Sequence, residues 1–156
     1  MSLSIAVEPP RSHEVEELLR LGDEFHLALY PPESCYLLDV SELERPEIAV
    51  YVARDAADRA LGMAALVSRG DGSAELKRMF VRDDARGQGL AGRLLDRIEM
   101  DAAVDGINHI ELETGPLQYA ALALYERRGY MRIPNFGPYV GDEFSVCFAK
   151  ELLTHK

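Results

Sequence analysis

The stretch "DDARGQGLAGRLL", Asp83 to Leu95, constrains this chain more than any other. It packs Gly87, Gly89, Gly92 and Ala91 into a few residues and runs straight into an amphipathic helix. Glycines at a helix start let backbone N–H groups come close to a ligand. The unsatisfied N–H groups of the first turn, with the helix dipole, attract phosphate, and a pyrophosphate fits well. The same glycines also suit a tight strand-to-helix turn, so the loop alone leaves both readings open. It lacks the Gly-Lys-Ser/Thr ending of a P-loop, and the strand-rich N-terminal third argues against a Rossmann dinucleotide fold.

The elements around the loop follow from periodicity. "LSIAVEP" reads as a strand, and Ser12 caps a helix running to about Tyr30, where Pro31-Pro32 stops it. "EIAVYVAR", "LGMAALVSR" and "SAELKRMFV" (Ser73–Val81) read as a three-strand meander. The helix after the loop, from about Gly87 to Val104, puts Leu90, Leu94 and Ile98 on its apolar side and Arg93 and Arg97 away from it. A strand "HIELET", a helix from about Leu117 to Arg128 and a last strand "FSVCFAKEL" complete the series. That last strand is either an edge open to pairing between copies, and so to a homodimer, or an interior strand.

At 156 residues and 47% hydrophobic content, the chain fits one domain, 1–156. No apolar run reaches membrane-spanning length and the N-terminus lacks a signal-peptide pattern, so a cytoplasmic protein is expected, with "MSL" readable as a vector leader. Cys35 and Cys147 lack metal or disulfide spacing and read as buried thiols. His13, His26, His109 and His155 are scattered, so no metal is expected. The net charge of −10 disfavours nucleic acid and anionic membrane as partners. Residues 77–97 are the exception, with 6 basic against 3 acidic side chains, which suits a small polyanion held at the glycines or simply a solvated helix face.

"RGQGLA" (Arg86–Ala91) matches the Arg/Gln-x-x-Gly-x-Gly/Ala signature of the GNAT superfamily, whose members transfer acyl groups from acetyl-CoA to amines. "LKRMFVRDDA" resembles that family's fourth strand, and "QYAALALYERRGY" (Gln118–Tyr130) its fourth helix, in register through "HIELETG". Further likeness in "LYPPES", "LKRM", "LETG" and "FGPY" is to a bacterial group within the family. Some of that group are labelled indole-acetic acid acetyltransferases; the label is not carried over, because the chemistry needs a nucleophilic amine.

The resemblance implies an α/β (α+β) fold with a central mixed, mostly antiparallel sheet flanked by helices, and acetyl-CoA as co-substrate without a metal. It implies that strand groups near Met79, Phe80 and Val81 hold the pantetheine arm. The loop Arg86, Gly87, Gln88, Gly89, Leu90, Ala91 and Gly92 binds the pyrophosphate, with Arg86 and Arg93 as optional added charge. Tyr125 matches the tyrosine that protonates the departing thiolate. Gln118 stands where the family often has Asn. Glu75 sits where some members place a catalytic glutamate, and Glu111 and Glu113 compete with it from one face of the next strand. The acceptor, an amine, is expected between Leu29–Tyr36 and Phe136–Tyr139. An acyl-CoA-binding module without catalysis is the alternative, and the donor's acyl group is not fixed by the residues.

Overall fold

Period-two patterning in the first half pairs as consecutive hairpins. In the computed structural model, which describes residues 2–153, β1 (Leu3–Val7), β2 (Ile48–Asp55), β3 (Ala60–Ser68) and β4 (Ser73–Val81) are successive antiparallel neighbours. Met1 and His155 lie outside the described residues. Parallel pairing enters between β4 and β5 (His109–Thr114), because α3 (Leu90–Val104) carries the chain back along the sheet between them. β5 then pairs with β7 (Val146–Glu151), and β7 with β6 (Met131–Ile133). The strand order is β1-β2-β3-β4-β5-β7-β6, the mixed, mostly antiparallel sheet that the resemblance implies.

Alternation along the strands splits the core in two. α1 (His13–Leu29) lays Val15, Leu18 and Leu19 on one face against Val50, Val52, Met63 and Ala65. Its start is fixed by the Ser12 hydroxyl, which accepts the Val15 N–H at 3.3 Å, and by Glu14 and Glu16 in the first turn. α3 and α4 (Tyr119–Arg127) cover the other face, where Leu94, Leu95 and Ile98 meet Leu76, Ile110, Leu112 and Phe148. α2 (Val40–Leu43) is a single turn that the periodicity does not show; a reciprocal capping box between Asp39 and Glu42 makes it.

Several boundaries differ from the sequence expectation. α3 begins at Leu90 rather than Gly87, because Gly87 (φ 80°) and Gly89 (φ 74°) take left-handed backbone that a right-handed helix cannot include. α4 begins at Tyr119 and ends at Arg127. The last strand starts at Val146, since Asp142 holds Phe144 and Ser145 in a turn. It lies inside the sheet, and the edge role falls to β6, a three-residue strand with no period to reveal it. Cys147 is buried as expected, but Cys35 is partly exposed.

Candidate active site

The site begins where two strands part. β4 and β5 stay paired from Ser73↔His109 to Leu76↔Leu112, and there the ladder ends while β5 continues alongside β7 to Thr114. Beyond that point β4 bulges: Lys77 opposes Ala65 and Phe80 opposes Met63, leaving Arg78 and Met79 together against Ala64. The strand end from Lys77 to Val81 thus presents a free edge to a cavity bounded by both strands, α1 and α4. Met79 and Phe80 line this cavity, and Val81 continues the same strand to the glycine loop.

The loop offers open backbone. Arg86, Gly87, Gln88 and Gly89 are exposed, and a Cβ built at Gly87 or Gly89 would meet nothing within 4 Å. The first intrahelical bond of α3 runs from the Arg93 N–H to the Gly89 carbonyl, so the amides of Leu90, Ala91 and Gly92 have no acceptor within the helix. Leu90 anchors the turn by burying its side chain in the core, while Ala91 is half-buried and Gly92 lies under Arg128. The Arg86 guanidinium turns inward: it bonds the Val81 carbonyl at 3.1 Å and Asp83 at 2.8 Å and stacks over Phe25 and Phe80. Arg93 stays exposed on the helix. An exposed, amide-rich helix start beside a free strand edge fits the pyrophosphate and amide groups of acetyl-CoA.

Of the titratable groups that line the cavity, His26, Lys77 and Arg78 among them, Tyr125 and Glu113 reach it from opposite faces of the sheet. Tyr125 comes from α4, packed edge-on against Tyr130 with ring centroids 5.7 Å apart. Burial, with the nearby Glu113 charge, pushes its phenol above the ordinary tyrosine value, so the hydroxyl is protonated at neutral pH. Glu113 comes from β5 and accepts the Ser145 hydroxyl at 2.8 Å. Burial pushes its carboxyl up to about 7, against the pull of Ser145 and Lys77.

Glu75 is not part of the cavity lining. Its carboxylate accepts the Tyr139 hydroxyl at 2.6 Å, and Lys77 and Arg69 approach it at 3.7 and 3.5 Å. Arg69 also bonds Glu111 at 2.6 Å. All three glutamates share one sheet face, as alternation requires, yet among them Glu113 is the one that lines the cavity. Gln118 caps the turn before α4, its side-chain oxygen accepting the Gly115 N–H at 3.0 Å, and it borders the cavity beside Tyr125.

On the far side the two segments expected to flank an acceptor do meet. Tyr30, Ser34 and Tyr36 line the cavity with Phe144. Asp142 ties the segments together, accepting the Tyr36 hydroxyl at 2.6 Å and the Ser34 hydroxyl at 3.1 Å; the hydrogen bond to Asp142 pushes the Tyr36 phenol up to about 12. Phe136 and Tyr139 stand behind Tyr36 rather than in the wall, with the Tyr36 and Tyr139 rings edge-on at 4.8 Å. Sequence reading misses Asp142, Ser145 and Lys77, because each matters through a partner at least 32 residues away.

A splayed parallel strand pair, a glycine-rich helix start at its end and a carboxyl and a phenol lining the cavity in the gap suit an acyl-CoA-dependent N-acyltransferase. Residues 14–130 match the Acetyltransferase (GNAT) family. The chain is 38% identical over 151 residues to the IAA acetyltransferase of Azospirillum brasilense, covering 97% of this chain and 99% of that protein. It is 32% identical to an uncharacterized N-acetyltransferase of Bacillus subtilis over 78% of this chain and 82% of that one. Among solved structures, a Klebsiella pneumoniae protein assigned as an acyl-CoA N-acyltransferase superposes with a TM-score of 0.82 at 30% identity, covering 97% of this chain and 98% of that chain. This chain belongs to the acetyltransferase (GNAT) family: it is an acyltransferase that takes acetyl-CoA as co-substrate and acetylates an amine.

Proposed function

We propose that the chain, acting as one domain, acetylates a small primary amine by direct attack on the thioester, with Glu113 as general base and Tyr125 as general acid. The observation that carries this reading is that these two groups, from opposite faces of the sheet, line one cavity at the gap between β4 and β5, close enough for the Glu113 charge to act on the phenol. Alkyl amines are mostly protonated near neutral pH, so the acceptor must lose a proton before it attacks. Glu113, with its carboxyl near 7, is matched to that task, whereas Glu75 is held by Tyr139, Lys77 and Arg69.

Glu113 takes the ammonium proton and passes it to solvent, and the freed nitrogen lone pair then bonds to the carbonyl carbon. Strand amides of the bulge face the developing oxyanion. Tyr125 donates its proton to sulfur as the C–S bond breaks, and the second proton that the nitrogen sheds on becoming an amide restores the phenol, leaving the neutral N-acetyl product and free CoA. The loop Arg86–Gly92 holds the pyrophosphate, and Met79–Val81 the pantetheine arm. The acceptor enters from the side of Tyr30, Tyr36 and Phe144, whose rings make an aromatic wall. We place the protein in the cytoplasm; among the described residues no helix is long and apolar enough to cross a membrane. With β7 inside the sheet, pairing of two copies would have to use an edge strand, β1 or β6, and sizing in solution tests it.

The test is thiol release from acetyl-CoA across a panel of aryl and alkyl amines, with IAA included because the Azospirillum relative is named for it. Wild-type turnover on an amine, lost in both Glu113→Gln and Tyr125→Phe, is the expected result. Turnover retained by Glu113→Gln and lost by Glu75→Gln would move the base to Glu75.

A further inference from the structure

Arg78 is the one residue of β4 with left-handed backbone, at φ 58°. A non-glycine residue rarely takes that conformation unless its surroundings impose it. Here the imposing contacts are explicit. Its side chain is only 4% exposed, and the guanidinium donates to Asp23 Oδ1 at 2.6 Å and to the Leu19 carbonyl at 3.0 Å, both on α1. Arg78 is also one of the two bulged residues opposite Ala64, at the point where β4 leaves β5. Close by, Gly22 of α1 packs against the Phe80 ring, its missing Cβ site 3.6 Å from that ring.

We propose that Arg78 is a positioning residue for acetyl-CoA: its fork onto Asp23 and Leu19 clamps the β4 bulge to α1 and holds the strand's free edge open to the cavity. The proposal rests on acetyl-CoA lying in the β4–β5 gap, as argued above. Without the fork, an ordinary side chain at 78 leaves the left-handed region for extended backbone, and the edge from Lys77 to Val81 loses its bulged geometry. A ligand that binds only the bulged form then sees its affinity reduced by the fraction of molecules that still hold it. Asp23 is half in solvent, so the pair can be opened from its side without touching the core.

The experiment is calorimetric titration of acetyl-CoA, and of CoA in parallel, into wild type, Arg78→Met, Arg78→Gly and Asp23→Asn, each checked for cooperative unfolding. Arg78→Met is expected to raise the Kd for acetyl-CoA about tenfold, the scale of the left-handed preference lost by a non-glycine residue. Arg78→Gly is expected to lose less, because glycine holds positive φ freely. Asp23→Asn, which leaves the arginine in place, falls between wild type and Arg78→Met. A merely structural role would lower the unfolding temperature and leave the Kd of the folded protein alone. Equal Kd values across all four proteins, or equal losses in Arg78→Met and Arg78→Gly, would overturn the proposal. Failure of wild type itself to bind acetyl-CoA would instead overturn the placement of the ligand in the gap.

Discussion

Replacing Glu113 with glutamine should stabilise the protein while removing its activity, and the effect should depend on pH in a defined direction. The ordinary glutamate value is about 4.3, and burial lifts this carboxyl to about 7. The folded state therefore holds the proton more tightly than the unfolded chain does. Burying Glu113 costs nothing below about pH 4, costs more as pH rises between those two values, and carries its full cost above about pH 7. At 1.36 kcal/mol for each tenfold step in proton affinity, that cost is on the order of 4 kcal/mol.

Glutamine keeps an oxygen to accept the Ser145 hydroxyl but cannot ionise, so it escapes most of this cost. Allowing for burial of the amide leaves a gain of about 2 kcal/mol at pH 8, or about 4–8 °C in Tm for a chain of this length. The assay is thermal unfolding of wild type and Glu113→Gln at pH 4.5 and pH 8, beside turnover on the best amine from the panel. The Tm gap should open only at the higher pH, and turnover should fall about 100-fold or more. Equal Tm values at pH 8, or a gap that stays constant between the two pH values, would refute the reasoning.

Other consequences are as specific. Tyr125→Phe keeps the ring that packs on Tyr130 and Phe148 and removes the proton donor, so turnover should fall about 100-fold while calorimetry shows acetyl-CoA affinity little changed. Gly89→Ala meets no neighbour, so its effect is purely one of backbone: holding φ 74° should cost about 1 kcal/mol in denaturant unfolding and weaken acetyl-CoA several-fold. Leu94→Ala, at a fully buried position of α3, should cost about 3 kcal/mol by the same unfolding assay and leave the Kd of the folded protein unchanged.

What the chain announces locally, it announces well. "SAELKRMFV" and "HIELET" are strands over the residues that alternation marks, Ser12 caps α1, and the glycine loop stands at a helix start, because period, cap and turn chemistry all act within a few residues. Even the helix boundary that shifted, from Gly87 to Leu90, follows from a local fact, the left-handed backbone that the glycines accept. The family signature is local as well, since a loop that offers bare amides must be written in closely spaced glycines, here Gly87, Gly89 and Gly92. What only the tertiary structure decided is which of three like glutamates reaches the cavity. Glu75, Glu111 and Glu113 share a face and a chemistry, and they are told apart by partners far along the chain: Tyr139 at Glu75, Arg69 at Glu111, Ser145 at Glu113. The bulge at Arg78 is of the same kind, a strained backbone imposed by Asp23 across 55 residues of sequence. Proton affinity and strain depend on desolvation and on partners brought together by packing, and those exist only once the sheet has closed against α1 and α4.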